Sequence, residues 1–301
     1  MVSSFLDVDA FRKRLGEKAR YLTYDLTSVA GFVREIAPAT DRFGVFNEIY
    51  HLASIVGPVG VLSHAGCIVE SVVSDTYSMM CLAMDDGAKL CDVSTSEVYG
   101  GGRNGACSED DVKIFPAGVT IRLEYAAAKL ACEVALENAG RRFAERLSVA
   151  IIRPFNISGP RQHWSGGFVI PRFISQAMRG KPLSVYGDGK QVRAFTHVVD
   201  VARGIIAATR GPRSPAVYNL GNPHNKTTIR DLAELVIAVT GSKSTIAHVD
   251  PKTLHGPTFA EASDKYPDSD LAQRDLGWVP EYDLPHIVAD AYEYMRMDRH
   301  D

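Results

Sequence analysis

A tyrosine followed four residues later by a lysine, Tyr125-Ala-Ala-Ala-Lys129, is the first place in this sequence where reactive side chains stand at a useful spacing. On a helix, an i,i+4 pair shares one face. An ammonium ion beside a phenol favours the phenolate, bringing a hydroxyl of ordinary pKa near ~10 toward the range of a general base. Helix surfaces also carry a half-buried tyrosine near a solvated lysine by chance, so the pair needs company. The segment Val93-Ser94-Thr95-Ser96-Glu97-Val98-Tyr99-Gly100 follows an apolar run and delivers Thr95, Ser96 and Glu97. The segment Ile152-Arg153-Pro154-Phe155-Asn156-Ile157-Ser158-Gly159-Pro160-Arg161 follows another and delivers Asn156 and Arg161. If both runs are parallel strands, these groups gather at the carboxyl edge of one sheet, where open α/β folds bind ligands. A hydroxyl, a carboxylate, a Tyr/Lys pair and an arginine then share one rim.

The elements that must position them are legible in the hydrophobic pattern. Residues 19–25, 46–54 and 89–94 read as strands, and about 65–86 and 121–144 as helices. Leu147 to Arg153 is a continuous apolar run, the mark of a parallel strand covered on both faces. Strands alternating with helices predict an α/β fold with a doubly wound parallel, Rossmann-like sheet. After Pro154 glycine and proline become denser, which predicts a first domain over 1–160 and a smaller substrate domain over 161–301, some of its segments returning to the first. A helix is expected over 227–240 with Thr227 or Thr228 at its N-cap, and a last one over about 284–297. Gly57-Pro58-Val59-Gly60 reads as a loop.

Composition narrows the function classes. The chain has 301 residues, 33 Lys plus Arg against 36 Asp plus Glu, and a net charge of −3, which excludes a strong electrostatic footprint for nucleic acid. With 46% hydrophobic residues it can bury a large core without a disulfide or metal staple. No run approaches the ~18 apolar residues of a membrane span, and no signal peptide is visible, so a cytoplasmic protein is expected. The five cysteines are odd in number and form no CxxC pair, as in a reduced protein with structural thiols. The nine histidines do not cluster, so no metal is expected, and no GxSxG elbow supports a serine hydrolase.

Taken in order, the motifs resemble the extended short-chain dehydrogenase/reductase superfamily, the NAD-dependent nucleotide-sugar epimerases, dehydratases and decarboxylases. His51-Leu52-Ala53-Ser54, the Thr95 segment, the Tyr125/Lys129 helix and the Arg153–Arg161 segment carry the resemblance. So do Gly167–Phe173, Ser184–Gly189, Arg193–Asp200, Tyr218–Asn222 and Leu276-Gly277-Trp278. The resemblance implies NAD as cofactor and a nucleotide sugar as substrate. Dehydratases of the family usually carry Thr-Asp-Glu after the strand and 4-epimerases usually lack the Glu. Thr95-Ser96-Glu97 is similar instead to the UDP-glucuronate decarboxylases. By that resemblance Tyr125, assisted by Lys129 and Thr95, takes the proton of the sugar C4 hydroxyl, and Ser96 and Glu97 position the carboxylate or a reprotonating water. Asp25, Leu52, Ala53, Tyr125, Lys129 and Pro154 would face the cofactor. Asn156, Arg161, Pro171, Phe173, Tyr186 and Arg193 would face the substrate. A 4-epimerase or dehydratase, and a catalytically silent nucleotide-sugar-binding homologue, are the alternatives. A homodimer is implied, pairing the 65–86 and 121–144 helices through apolar residues such as Met79, Leu130, Cys132 and Val134.

The sequence departs from the family in two places. The usual GxxGxxG phosphate loop is not found: residues 5–20 hold only Gly16, and Phe5 to Leu15 reads as an amphipathic helix. The expected sheet is therefore truncated at its N-terminal β-α-β unit, with the N-terminal helix or a second copy covering the apolar surface this exposes. Either the loop lies upstream of Met1, or the chain has lost tight dinucleotide binding and would hold NAD weakly or not at all. In the helix after His51, Val72 and Asp75 stand where the family often has an Asn and a Gly.

Overall fold

The computed structural model describes residues 44–100, 105–115, 120–255 and 264–297. The expected strand over 19–25, Asp25 and the N-terminal helix lie outside the described residues. In chain order the first elements are β1 (Glu48–His51), α1 (Gly57–Ser63), α2 (Ile68–Asp86), β2 (Lys89–Val93), β3 (Gly105–Cys107), α3 (Ile121–Arg142) and β4 (Ser148–Pro154). Then come β5 (Ile157–Ser158), α4 (Val169–Met178), β6 (Leu183–Tyr186), β7 (Val192–Ala194), β8 (Thr196–His197), α5 (Val198–Thr209) and β9 (Ala216–Leu220). The last are β10 (Lys226–Thr228), α6 (Ile229–Thr240), β11 (Ile246–Val249), β12 (Lys265–Pro267), α7 (Asp270–Leu276) and α8 (Leu284–Met297), with a short helical turn between β11 and β12.

The central sheet is parallel, in the order β1-β2-β4-β9. Val149 to Ile152 of β4 are all buried, as a strand covered on both faces requires. On one face, Met79 and Ala83 of α2 and Leu136 of α3 pack on Ile49, Leu90, Val149 and Ile151. On the other, Val201, Ile205 and Ala208 of α5 and Ala272 of α7 pack on Cys91, Ala150, Ile152 and Tyr218. The sheet is thus doubly wound. Glu124, in the first turn of α3, ties α3 to the start of α2 by accepting from Gly66 N (2.8 Å) and Ile68 N (3.0 Å). Thr120 caps α3 itself, accepting from Leu123 N at 3.2 Å, and Thr228 caps α6, accepting from Asp231 N at 3.0 Å.

Three expectations change here. Gly57-Pro58-Val59-Gly60 is not a loop but opens α1, because proline's missing N–H costs nothing in a first helical turn. Gly57 has φ +77°, and a Cβ there would stand 2.9 Å from the Gly166 carbonyl oxygen, so this approach needs glycine. Met79 and Cys132 are not on an outward helix face. Met79 faces the sheet, and Cys132 is buried between α2 and α3 with Ile68 and Val72. Pro171 and Phe173 are not binding residues either. Both are buried on α4, and Phe173, fully excluded from solvent, packs with Ile174, Leu232, Val236, Ile287 and Val288 where α4, α6 and α8 meet.

A small mixed sheet, β10-β7-β12-β3, matters most for the site. β7 pairs antiparallel with β10 and parallel with β12, while β12 pairs parallel with β3. Its register sets Lys265 beside Arg193. Because Phe173 is core and not a wall of the site, Phe173→Ala is expected to lower unfolding stability by about 3–5 kcal/mol while nucleotide affinity of the folded protein stays unchanged. Urea denaturation and calorimetry check the two halves separately.

Candidate active site

A cavity of about 1070 Å³ opens at the carboxyl ends of β1, β2 and β4. β2 hands over to the site through Ser94, whose N–H donates to Ile152 O at 2.7 Å and so continues the β2–β4 ladder. The chain then makes one tight turn over Ser96–Tyr99, with Thr95 Oγ1 accepting from Glu97 N at 3.2 Å. This turn puts Thr95, Ser96 and Glu97 in the cavity wall, opposite Tyr125 of α3. The Thr95 hydroxyl stands close enough to the Tyr125 phenol to favour its ionised form. Leu52, Pro154, Asn156, Arg161, Tyr186 and Arg193 also line the cavity. Asn156 and Arg161 adopt positive φ (38° and 69°), and the Asn156 amide donates to Ala194 O at 2.9 Å. The Arg172 guanidinium lies 4.1 Å from the Tyr186 ring centroid.

Lys129 and Ala53 do not line the cavity. Lys129 is 1% exposed, one turn below Tyr125, and its Nζ donates to Val93 O at 2.9 Å. Beneath it, Asp92 Oδ1 and His51 Nδ1 are 2.6 Å apart in a fully buried pair. Burial alone would raise the Asp92 carboxyl, but the His51 hydrogen bond and the Lys129 charge outweigh it and hold the group below its ordinary value. The expected acidification of Tyr125 by Lys129 is therefore absent. Burial pushes the phenol well above its ordinary value, and the Glu97 and Asp92 charges add to that. The Thr95 hydroxyl offsets only part. The lysine's charge is engaged by Asp92 and the Val93 carbonyl instead of the phenol.

A second buried network holds this geometry. Arg153 donates to Glu133 from Nη2 (2.6 Å) and Nε (3.1 and 3.2 Å), and Ser94 Oγ donates to the same carboxylate. Arg153 Nη1 donates to Tyr99 Oη at 2.9 Å, and Tyr99 passes its own hydrogen to Asn219 Oδ1 at 2.7 Å. Burial would lower the Arg153 pKa, but the Glu133 hydrogen bonds and charge more than compensate and raise it.

The cavity wall around Glu97 is cationic. Lys265 Nζ donates to Glu97 Oε1 at 2.5 Å, and Arg122 Nη1 lies 3.6 Å from Glu97 Oε2. Burial would raise the Glu97 carboxyl, but the Lys265, Arg122 and Arg193 charges and the Lys265 hydrogen bond bring it down to about 2. Sequence reasoning missed Arg122 and Lys265. Arg122 had a signal, since it stands three residues before Tyr125 on the same helix face. Lys265 had none, because only the β12 register brings it here.

A parallel sheet with Thr95 at a strand end, facing a helix that carries Tyr125 and Lys129, defines the class of extended short-chain dehydrogenase/reductases. The profile described as the NAD dependent epimerase/dehydratase family matches residues 9–221, and the chain belongs to that family. The chain is 35% identical over 265 residues to a UDP-N-acetyl-alpha-D-glucosaminuronate decarboxylase of Bacillus cytotoxicus, covering 87% of this chain and 80% of that one. It is 32% identical over 257 residues to UDP-glucuronic acid decarboxylase 1 of Xenopus tropicalis, covering 84% of this chain but only 57% of that relative's length. In structure it is similar to a dTDP-glucose 4,6-dehydratase from Streptomyces venezuelae, solved with NAD and TYD bound, with TM-score 0.78, 26% identity and coverage of 97% and 84%.

The described residues suit the nicotinamide end of a dinucleotide. Leu52, Val56 and Pro154 offer apolar walls beside the Thr95 and Tyr125 hydroxyls, and the buried Ser54 Oγ, also in the wall, has no hydrogen-bond partner. The Asp25 expected at the adenine end lies outside the described residues. Because the Tyr125 pKa is higher in the fold than in the unfolded chain, the fold holds that proton more tightly, and stability from this group falls as pH rises above about 10. The ligand-free protein is expected to show no Tyr125 phenolate at neutral pH. Ultraviolet difference titration of wild type against Tyr125→Phe checks this, and a near-neutral phenolate signal lost in the variant would refute it.

Proposed function

We propose that the protein is a nucleotide-sugar-modifying enzyme that decarboxylates a UDP-linked hexuronate. The observation that carries this is the charge at the reacting end. Arg122, Arg193 and Lys265 surround the single Glu97 carboxylate beside Tyr125, which suits a sugar bearing its own carboxylate. Thr95-Ser96-Glu97 and the two decarboxylase relatives support the same class.

Under this proposal Tyr125, losing its own proton only once ligands fill the cavity, takes the proton of the sugar C4 hydroxyl, with the Thr95 hydroxyl beside the phenol as relay and orienter. Removal and later return of a hydride at C4 is the chemistry NAD supplies when bound. Leu52, Ser54, Tyr125 and Pro154 would hold its nicotinamide end, and Lys129 acts from behind by fixing the Val93 carbonyl and hence the Thr95 turn. Oxidation at C4 makes the sugar a β-keto acid. Its carboxylate then leaves as carbon dioxide while the electron pair moves into the ketone. That step needs no acid at the carboxylate, so an ionised Glu97 is compatible with it. Asn156, Arg161 and Tyr186 would hold the nucleotide side. Dehydration fits less well, because a leaving hydroxyl needs a proton donor.

A homodimer and a cytoplasmic location complete the proposal. The exposed Val69, Val73 and Tyr77 of α2 stand four residues apart and make an apolar strip for helix pairing, and Val134 of α3 is exposed as well. All five cysteines are free thiols, which suits a reducing compartment.

Incubation with NAD and either UDP-glucuronate or UDP-N-acetylglucosaminuronate is expected to release carbon dioxide. Tyr125→Phe should cut the rate by about 10²–10⁴-fold. No turnover of either sugar, together with a thermal shift by the UDP-sugars but not by NAD, would replace this function with that of a silent binding homologue.

A further inference from the structure

Lys265 reaches the site from β12, 168 positions away from Glu97 in the chain, and beyond its share of the positive charge the mechanism above gives it no task. Its side chain is 2% exposed. A buried ammonium is costly unless it is paired, and here the pairing group is a carboxylate that lines the cavity. The β12 backbone holds the lysine from two sides, pairing with Gly105 of β3 and Arg193 of β7. Glu97 in turn faces Lys265 from β12, Arg122 and Tyr125 from α3, and Arg193 from β7. Its two oxygens are not equivalent. Oε1 takes the Lys265 hydrogen at 2.5 Å, whereas Oε2 is buried, has Arg122 at 3.6 Å and has no hydrogen-bond partner.

We propose that Lys265 is a positioning residue that locks Glu97 as a hydrogen-bond acceptor, with Oε1 pinned and with no proton to give. The inference rests on the proposed function and specifies it. A glutamate that never carries a proton can only accept hydrogen bonds, so the proton returned to C5 after loss of carbon dioxide comes from a water or another group and not from Glu97. The depressed Glu97 carboxyl agrees with this arrangement.

The test follows the Glu97 carboxyl by carbon-13 NMR in the full chain, its resonance identified by its disappearance in Glu97→Gln. In wild type it should still be ionised about one pH unit below the ordinary glutamate value near 4.3. In Lys265→Met the midpoint should rise by at least about one unit, and Lys265→Arg should keep it low, since the guanidinium puts a permanent cation in the lysine's place. With turnover, Lys265→Met should gain an acidic limb in its kcat profile that wild type lacks. Lys265→Arg should restore the wild-type profile, which a merely structural role would not predict. An ordinary Glu97 midpoint in wild type overturns the proposal without any variant, as does an unmoved midpoint in folded Lys265→Met. The titration needs no turnover, so an inactive wild type would end the decarboxylase assignment while leaving the Lys265 inference decided on its own evidence.

Discussion

The buried ion pair between Arg153 and Glu133 is the constraint on which the site depends. Glu133 lies one turn beyond Lys129 and two beyond Tyr125, so all three share one stripe of α3. Anchoring that stripe at Glu133 to Arg153 of β4 and to Ser94 after β2 fixes the rotation and height of the helix over the sheet. Lys129 then meets the Val93 carbonyl and Tyr125 meets Thr95. Burying two charges is costly, and the cost is offset only where the remaining donors and acceptors are filled. Here Tyr99, Ser94 and the Glu109 carbonyl fill them. A lone charge left by removal of one member would cost about 3–5 kcal/mol, enough to rotate or loosen α3. The network is thus one of geometry more than of net stability.

Charge is sorted into two layers around Tyr125. Below it, Asp92 is shared by His51 and Lys129. Above it, Glu97 is shared by Lys265 and Arg122. The phenol therefore lies between two carboxylates that are themselves engaged, and burial keeps it protonated in the empty protein. A lysine four residues from a tyrosine does not by itself make a base. What matters is where the ammonium's charge is already committed, and here it is committed to Asp92. Deprotonation of Tyr125 must then be coupled to what enters the cavity.

Much of this was legible in the sequence, for reasons that also explain the failures. The apolar run of β4, the helical periods of α2 and α3 and the final helix over 284–297 are local signals, and each fold element followed its period. The cavity wall from Thr95 to Glu97 and Tyr125 was legible because strand ends and helix faces are set by short spacings. Phe173 and Pro171 were assigned to the site because apolar residues in loop-rich sequence fit a binding wall and a core equally well, and only the α4–α6–α8 packing decides. Met79 and Cys132 were placed outward because a helix packed on both a sheet and another helix carries more than one apolar face. Gly57-Pro58 carries loop-forming residues that a first helical turn accepts equally. Lys265 depends on strand register across the small mixed sheet, which no local pattern encodes.

That small sheet also bears on why the site could turn over. Arg122, Arg193 and Lys265 gather around the single Glu97 carboxylate at the reacting end. Under the proposed reaction the incoming sugar acid brings one negative charge to that end and the product brings none. The cations therefore hold the reactant more strongly than the product at the reacting end, so loss of carbon dioxide itself weakens the grip on what remains. Binding strength that disappears with the reacting group favours release after chemistry without relaxing the nucleotide contacts. Glu97 sets the size of this effect. A rim with a second carboxylate would hold the anionic substrate less strongly and weaken this difference.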